Sequence, residues 1–502
     1  MNRNTLPASL SLLLIPLAAL HAVDAADAAD APKPVRPNII VMLTDDQGYG
    51  DFFCTGNPIL KTPQMDRLHD EGVRFTDFHV GPTCSPTRSA LLSGRHEFKN
   101  GVTHTILERE RMSVATVTLA QVLQSAGYTT GIFGKWHLGD EDAYQPNRRG
   151  FDEVFIHGGG GIGQTYPGSC GDVPDNKYFD PVIKHNGRFE KTSGFCTDIF
   201  TAQAMKWIAS AKGKKPFFCY IPFNAAHEPL SCPPEFKTPY EGKVPDKVAT
   251  FYGMLANIDE NVGQLLAKLK EWRIDTNTLV VLMNDNGGYA PACKVYNAGM
   301  RGSKATAWEG GTRAVSFWRW PGTLKPATVD QLTSIVDLFP TFTELAGVTL
   351  EARVKTQVEG RSLVPLLKNP QAPWADRNLV THVGRWGGMS PGAPPEKYVK
   401  DGCAIRTRRF SLVRGETDWR LFDLKQDPGQ TNNIAARQPD VVKQLSAAYD
   451  QWWTDVLPDL VNENAYKTAP NVNPFKEEYW KQFGGGPKPG THSEKSEGKN
   501  TP

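Results

Sequence analysis

The residues best able to do chemistry in this chain fall in a few short polar clusters. The stretch Cys84 to Arg95 reads Cys-Ser-Pro-Thr-Arg-Ser-Ala-Leu-Leu-Ser-Gly-Arg. A thiol precedes a helix-start signal, with Ser85 as the expected cap, Pro86 at the first helical position where its missing N–H costs nothing, and Gly94 as the stop. Cys84 is thereby expected at the positive end of a helix dipole with Arg88 one turn on, a place suited to an anion. Four further clusters carry reactive groups: Asp45 with Asp46, Lys135 with His137, Asn224 with His227, and Asp285 with Asn286.

Each of these four clusters directly follows a segment that reads as a buried strand. Asn38 to Leu43 runs into Asp45, Tyr128 to Phe133 into Lys135, Pro216 to Pro222 into Asn224, and Thr278 to Met283 into Asn284 and Asp285. Short apolar runs of this kind suit strands covered on both faces. Helical stretches separate them, one over Thr118 to Ser125 and one from about Met254 to Trp272. Strands alternating with helices imply a mainly parallel sheet, and such sheets bind ligands beyond the carboxyl ends of their strands. All four clusters land on that edge, which is the expected site.

Asp45, Asp46, Asp285 and the amide oxygen of Asn286 form an all-oxygen ligand set, suited to Ca²⁺ or Mg²⁺ rather than zinc. Three carboxylates at one strand edge repel one another unless a cation or protonation offsets their charge. Arg88, Lys135, Lys304 and the two histidines supply a cationic wall able to hold a tetrahedral anion against the metal.

The Cys84 segment resembles the signature of the type I, formylglycine-dependent sulfatases, which belong to the alkaline phosphatase superfamily: Cys-x-Pro-Ser/Thr-Arg followed by Ser/Thr-Gly-Arg. Arg301 to Gly311, with Lys304 and the Glu-Gly-Gly, and Gly134 to Gly139, Gly-Lys-Trp-His-Leu-Gly, resemble two more hallmarks. Asp45-Asp46-Gln47-Gly48, the His227 segment and Asp285-Asn286-Gly287-Gly288 complete the set in the family's order. The resemblance runs from about Arg36 to Asp427 and into the tail region.

That resemblance implies an arylsulfatase-type hydrolase of sulfuric esters. It implies that Cys84 is oxidised by a formylglycine-generating maturation enzyme and that the hydrated aldehyde, touching a metal held by Asp45, Asp46, Asp285 and Asn286, attacks sulfur. Lys135 and Lys304 would neutralise the sulfuryl oxygens, Arg88 would hold the hydrate, His227 with Lys304 would protonate the leaving oxygen, and His137 would take the proton from the second hydroxyl. For an additional sulfate-binding residue the interval offers His157, Ser169 and His185, with His157 a weak candidate. Ca²⁺, one per chain, is the expected ion, with Mg²⁺ as the alternative. The rival readings are a phosphomonoesterase or phosphodiesterase of the same superfamily, and an inactive carbohydrate-binding relative.

Length and composition bound the rest. The chain has 502 residues and a formal net charge of +2, with no nucleic-acid or membrane footprint. Arg3, the apolar run Leu10 to Leu20 and the small residues around Ala25 have the layout of a secretory signal peptide, too short to span a bilayer of roughly 30 Å. Residues 1–25 are thus read as signal peptide and 26–36 as a disordered leader, giving a secreted or periplasmic protein with no transmembrane segment. Export makes a sulfated oligosaccharide or polysaccharide the expected substrate. The catalytic sulfatase domain is placed at 37–375, a mixed, mainly parallel sheet flanked by helices. A smaller α+β subdomain follows at 376–483, with a short antiparallel sheet under one helix at Pro439 to Trp453, and then a disordered tail at 484–502. Insertions around Gly158 to Thr197 and Gly384 to Tyr398 are expected to shape the substrate pocket. Eight cysteines are present, and Cys170 with Cys196 is the first expectation for a disulfide.

Overall fold

The computed structural model describes residue 1 and residues 36–387, 394–460 and 473–486. The signal peptide beyond its first residue, nearly all of the leader and most of the tail lie outside the described residues. No helix among the described residues is long and apolar enough to cross a membrane.

The first sheet has eleven strands. In chain order they are β1 (Asn38–Thr44), β2 (Val73–His79), β3 (Thr129–Lys135), β4 (Glu153–His157), β5 (Val182–His185), β6 (Arg188–Lys191), β7 (Phe217–Pro222), β8 (Thr278–Asn284), β9 (Arg313–Arg319), β10 (Ala327–Val329) and β11 (Thr333–Ser334). The order across the sheet is β10-β2-β9-β8-β1-β7-β3-β4-β5-β6, with β11 also on β2. Its centre, β8-β1-β7-β3-β4, is parallel, while β9 runs against both β2 and β8 and β5 runs against β4 and β6.

The alternation of side chains on a pleated strand explains why the central runs are apolar at every position. Ile39, Val41 and Leu43 of β1 join Leu279, Val281 and Met283 of β8 in one core, while Ile40 and Met42 join Val280 and Leu282 in the other. The helix Asp246–Glu271 covers the second face through Val248, Leu255, Ile258, Val262 and Leu269. It starts eight residues before the expected Met254, because Val248, Ala249 and Phe251 extend the same buried stripe. The helices Cys84–Ser93, Leu119–Ser125 and Leu338–Leu345 cover the first face.

A second sheet is antiparallel and has four strands in sequential order: β12 (Leu379–His382), β13 (Cys403–Arg406), β14 (Phe410–Arg414) and β15 (Trp419–Asp423). The helix Pro439–Val456 packs Leu445 and Tyr449 onto Cys403, Ile405, Leu412 and Leu421. A last helix, Pro474–Phe483, lies against β6 of the first sheet, with the Phe475 and Phe189 rings 5.6 Å apart.

All eight cysteines are free thiols, so the expected Cys170–Cys196 bridge is not formed. Cys196 opens the helix Cys196–Ala211 and is packed with Phe195 and Phe200, whereas the backbone N–H of Cys170 is tied to Glu110. Separate packing environments, not a shared loop, hold the two residues.

Candidate active site

Sheet register brings the acids together. β1 pairs in parallel with β8 from Asn38↔Thr278 to Thr44↔Asn284, so Asp45–Asp46 and Asp285–Asn286 leave neighbouring strands at the same height. β7 lies on the other side of β1 with Leu43 opposite Pro222, which delivers the Asn224–His227 turn to the same edge. β3 and β4 end level at Lys135↔His157. Gly134 (φ 143°) permits the close approach of β3 to β7, since a Cβ there would lie 2.0 Å from the Pro222 carbonyl oxygen.

The helix Cys84–Ser93 begins at the thiol itself, and all ten of its residues are buried. Two local expectations need correction. Thr83 holds the N-cap position, with Cys84 the first helical residue, so Ser85 is not the cap and Pro86 falls third in the helix. The Ser85 hydroxyl is drawn away to the His137 carbonyl oxygen at 2.8 Å, a bond that ties the Cys84 segment to the turn after β3. Gly94 ends the helix in the left-handed region, as its position implied.

Around this helix start the charged groups interlock. Arg88 Nη2 lies 3.1 Å from Asp45 Oδ2 and 2.9 Å from Asp285 Oδ2, and its Nη1 donates to the Lys135 carbonyl at 3.1 Å. Lys135 Nζ meets Asp45 Oδ2 at 2.5 Å. Lys304 Nζ lies 2.7 Å from Asp46 Oδ1, and Asn286 Nδ2 donates to the same oxygen at 3.0 Å. His227 Nε2 is 3.9 Å from Asp46 Oδ2, while its Nδ1 is 2.7 Å from the Glu228 carbonyl, which can only accept. The Tyr178 hydroxyl steadies this turn, 2.9 and 2.7 Å from the carbonyl oxygens of Asn224 and His227. Asp46, His137 and Ala305, at or beside the site's polar groups, all hold positive φ, at 58°, 58° and 63°, which carries a backbone cost.

The donor set fits a hard cation. Ligand atoms of Asp45, Cys84 and Asp285 lie within 4.8 Å of one another, as do those of Asp45, Asp46 and His227. Asp45 Oδ1 and Asn286 Oδ1 are buried and accept no hydrogen bond among the described residues. Buried acceptors without partners are costly unless something else satisfies them. Burial, then the neighbouring Asp45, pushes the Asp285 carboxyl well above its ordinary range. Asp46 is held well below the usual carboxylate range because Lys304 and His227 outweigh its burial. A divalent ion held by these oxygens would satisfy the orphaned acceptors and offset the acid repulsion.

The histidines differ in surroundings. Burial, then Lys304, lowers His227 to about 4. His137 is fully buried; its Nε2 is 2.7 Å from Glu110 Oε2 and 3.1 Å from the Thr105 carbonyl, and its Nδ1 has no partner among the described residues. Of the three residues left open for an extra anion contact, only His157 reaches the site: it ends β4 beside Lys135, and both its ring nitrogens are buried without a hydrogen bond among the described residues. Burial, then Lys135 and Arg88, pushes it well below the usual histidine range. Ser169 instead accepts from the Leu107 N–H, and His185 bonds to Glu153 and Glu190 on the sheet edge. Sequence reasoning missed Glu110 and Tyr178. Glu110 stands in the run Leu-Glu-Arg-Glu-Arg, which gives no sign of burial, yet it is wholly enclosed.

A mixed α/β sheet whose central strand ends deliver buried acids, a cysteine at a helix start and a cationic wall defines a hydrolase of the alkaline phosphatase superfamily fold. The Sulfatase family model matches residues 37–348, and the model for the C-terminal part of N-sulphoglucosamine sulphohydrolase matches 303–452. Arylsulfatase J of Mus musculus is 28% identical over 486 residues, covering 87% of this chain and 79% of the relative. N-acetylgalactosamine-6-sulfatase of Homo sapiens is 32% identical over 373 residues, covering 70% of this chain and 69% of the relative. The solved structure of Ps i-CgsB in complex with k-i-k-neocarrahexaose superposes with a TM-score of 0.74 at 25% identity, covering 87% of this chain and 98% of that one. The chain belongs to the sulfatase family and is a sulfuric ester hydrolase.

Proposed function

We propose that this chain is an exported sulfatase that removes sulfate from carbohydrates, using a formylglycine made from Cys84 and one divalent cation, calcium before magnesium. The observation that carries this reading is the meeting of Cys84 with Asp45 and Asp285 inside 4.8 Å, at the buried start of a helix whose Arg88 contacts both acids. The carbohydrate class is supported by the relatives, one named for N-acetylgalactosamine-6-sulfate and one seen with a neocarrahexaose. Export rests on the Leu10 to Leu20 run. Cys84 is 1% exposed, so the maturation enzyme must act before this segment folds.

When present, formylglycine supplies the attacking oxygen and the cation offsets charge on the sulfuryl oxygens. Asp45, Asp46, Asp285 and Asn286 would hold that cation, Asp45 through Oδ1 and Asn286 through its amide oxygen, the two that accept no hydrogen bond among the described residues. Lys135 and Lys304, fixed by Asp45 and Asp46, would offer their ammonium groups to the sulfate. Arg88 fixes the acids and, through the helix, the position of residue 84. His227 keeps Nδ1–H on the Glu228 carbonyl and turns Nε2 toward the site, where an anionic ester offsets the repulsion from Lys304 and favours a proton for the leaving oxygen. His137 Nδ1 is the acceptor for the proton released when sulfate departs. His157 adds a buried neutral ring beside Lys135.

Peptide mass spectrometry of native protein tests the reading: Cys84 should have lost sulfur and gained an aldehyde, and aryl sulfate should be cleaved far faster than aryl phosphate. An intact thiol would favour the inactive binding reading, and a preference for phosphate the phosphoesterase reading. Among defined sulfated sugars, activity restricted to non-carbohydrate esters would remove the carbohydrate assignment.

A further inference from the structure

Glu110 is an acid the proposed reaction does not use, yet it is fully buried and touches three parts of the site. Its Oε2 is 2.7 Å from His137 Nε2, its Oε1 accepts the Cys170 N–H, and its backbone oxygen lies 3.2 Å from the Ser85 hydroxyl. The Thr105 carbonyl stands 3.1 Å from the same His137 nitrogen. The Thr105 carbonyl can only accept, so the proton sits on Nε2, and Glu110 Oε2 faces the same N–H; burial raises the Glu110 carboxyl, and the bond to His137 works against that rise. In a neutral ring Nδ1 is then the lone pair, and it is buried with no partner among the described residues. The backbone at Gly160 runs close beside the ring, where an added Cβ would lie 3.0 Å from Cε1.

We propose that Glu110 is a positioning residue for His137, locking the Nε2–H tautomer so that Nδ1 is free to accept the proton that leaves with sulfate expulsion. The catalytic part of this inference rests on the reaction proposed for the site. In that reaction the hydroxyl remaining on the carbon of residue 84 loses its proton to Nδ1, and the electrons of that O–H bond form the C=O bond. The carbon–oxygen bond to sulfate breaks with its pair going to sulfate. His137 then carries protons on both nitrogens, Glu110 balances the charge, and the extra proton returns to water.

The substitution Glu110→Gln separates positioning from packing. Glutamine has one acceptor oxygen, whereas Glu110 serves two donors, Cys170 N–H and His137 Nε2–H. If the amide oxygen keeps Cys170, the amide NH₂ faces Nε2 and drives the ring proton toward Nδ1. The shape is conserved while a donor replaces the acceptor that Glu110 sets against Nε2, leaving the Thr105 carbonyl alone to hold the proton there.

The test is ¹⁵N NMR of histidine-labelled full-length protein, with His137 assigned from the spectrum of His137→Gln. This readout needs neither formylglycine nor substrate. The native protein should show His137 neutral with hydrogen on Nε2; Glu110→Gln should shift it toward Nδ1–H. In mature enzyme the same variant should lower kcat on the order of 100-fold with KM changed by less than about threefold, and Glu110→Asp should recover part of the loss. A native Nδ1–H tautomer would overturn the proposal even if Glu110→Gln failed to fold, as would an unchanged tautomer in a folded variant. An Nε2–H tautomer in a protein with no sulfatase activity would sink the proposed reaction and leave the positioning intact.

Discussion

Arg88 Nη2 and Asp285 Oδ2 stand 2.9 Å apart with both side chains at 1% exposure or less. The same guanidinium reaches Asp45, so one cation spans the two strand ends that carry the acids. Its own proton is held more tightly than an ordinary arginine's by Asp285 and Asp45, against its burial. The arginine therefore acts as a fixed brace within the acid cluster.

Removing one partner from a buried ion network leaves the others uncompensated. Arg88→Met should lower unfolding free energy by about 3–5 kcal/mol, read by chemical denaturation. Added calcium should raise the melting temperature of this variant more than that of the native protein, because the freed carboxylates gain most from a cation. Equal shifts in both proteins would place the cation elsewhere.

The orphaned oxygens make a second prediction. Asp45 Oδ1 and Asn286 Oδ1 lack hydrogen-bond partners among the described residues, so each should be a ligand rather than a scaffold atom. Asn286→Ala removes one ligand oxygen without adding charge. Calorimetry should show calcium affinity at least about tenfold weaker, roughly 1.4 kcal/mol, with secondary structure unchanged. Chelation of the native protein should abolish sulfate release and calcium should restore it; activity that survives exhaustive chelation would remove the metal from the reaction.

Much of this site was legible because its residues abut apolar runs. Asp45, Lys135, His227 and Asp285 follow segments whose continuous hydrophobicity marks central strands, and parallel register does the rest. Lys304 was reached only through the motif around it, since a lysine in a glycine-rich loop carries no local sign of a partner such as Asp46. Glu110 and Tyr178 were not legible: what makes them part of the site is contact across long sequence separations, Glu110 with His137 and Tyr178 with Asn224. Ser85 illustrates the converse, a residue with a cap's chemistry whose hydroxyl finds a better acceptor in a tertiary neighbour.

Arg406 supplies a third prediction. It ends β13 of the second sheet and enters a buried pocket of acids, 3.1 Å from Glu309 on the short helix before β9 and 3.2 Å from Asp77 Oδ2 on β2, with His79 alongside. Asp77 is drawn well below the usual carboxylate range because Arg406, with His79, outweighs its burial. Arg406→Ala should cost about 3–5 kcal/mol and make unfolding of the aromatic-rich second sheet separable from that of the first in tryptophan fluorescence. A single cooperative transition at native stability would show that the sheets stay joined without Arg406.

His382 governs how acid acts on the same junction. Its Nδ1 accepts the Gly384 N–H at 2.9 Å and its Nε2 lies 3.0 Å from the Tyr398 carbonyl, so the neutral Nε2–H ring satisfies both neighbours. Phe98, Trp386 and Trp453 enclose it. A proton on Nδ1 would meet a donor, and burial, with His96 and Arg109 adding to it, lowers the group from 6.5 to about 4 despite the Tyr398 bond. A base whose folded value is lowered binds fewer protons folded than unfolded. Its contribution is therefore present above pH 6.5 and is lost as the pH falls from there toward about 4. The loss should approach about 3 kcal/mol at the acid end, read as a falling denaturation midpoint between neutral and acid pH. His382→Gln keeps an acceptor and a donor but cannot take up the proton, so its stability should fall less steeply over that window; parallel curves for the two proteins would assign the acid sensitivity to other groups.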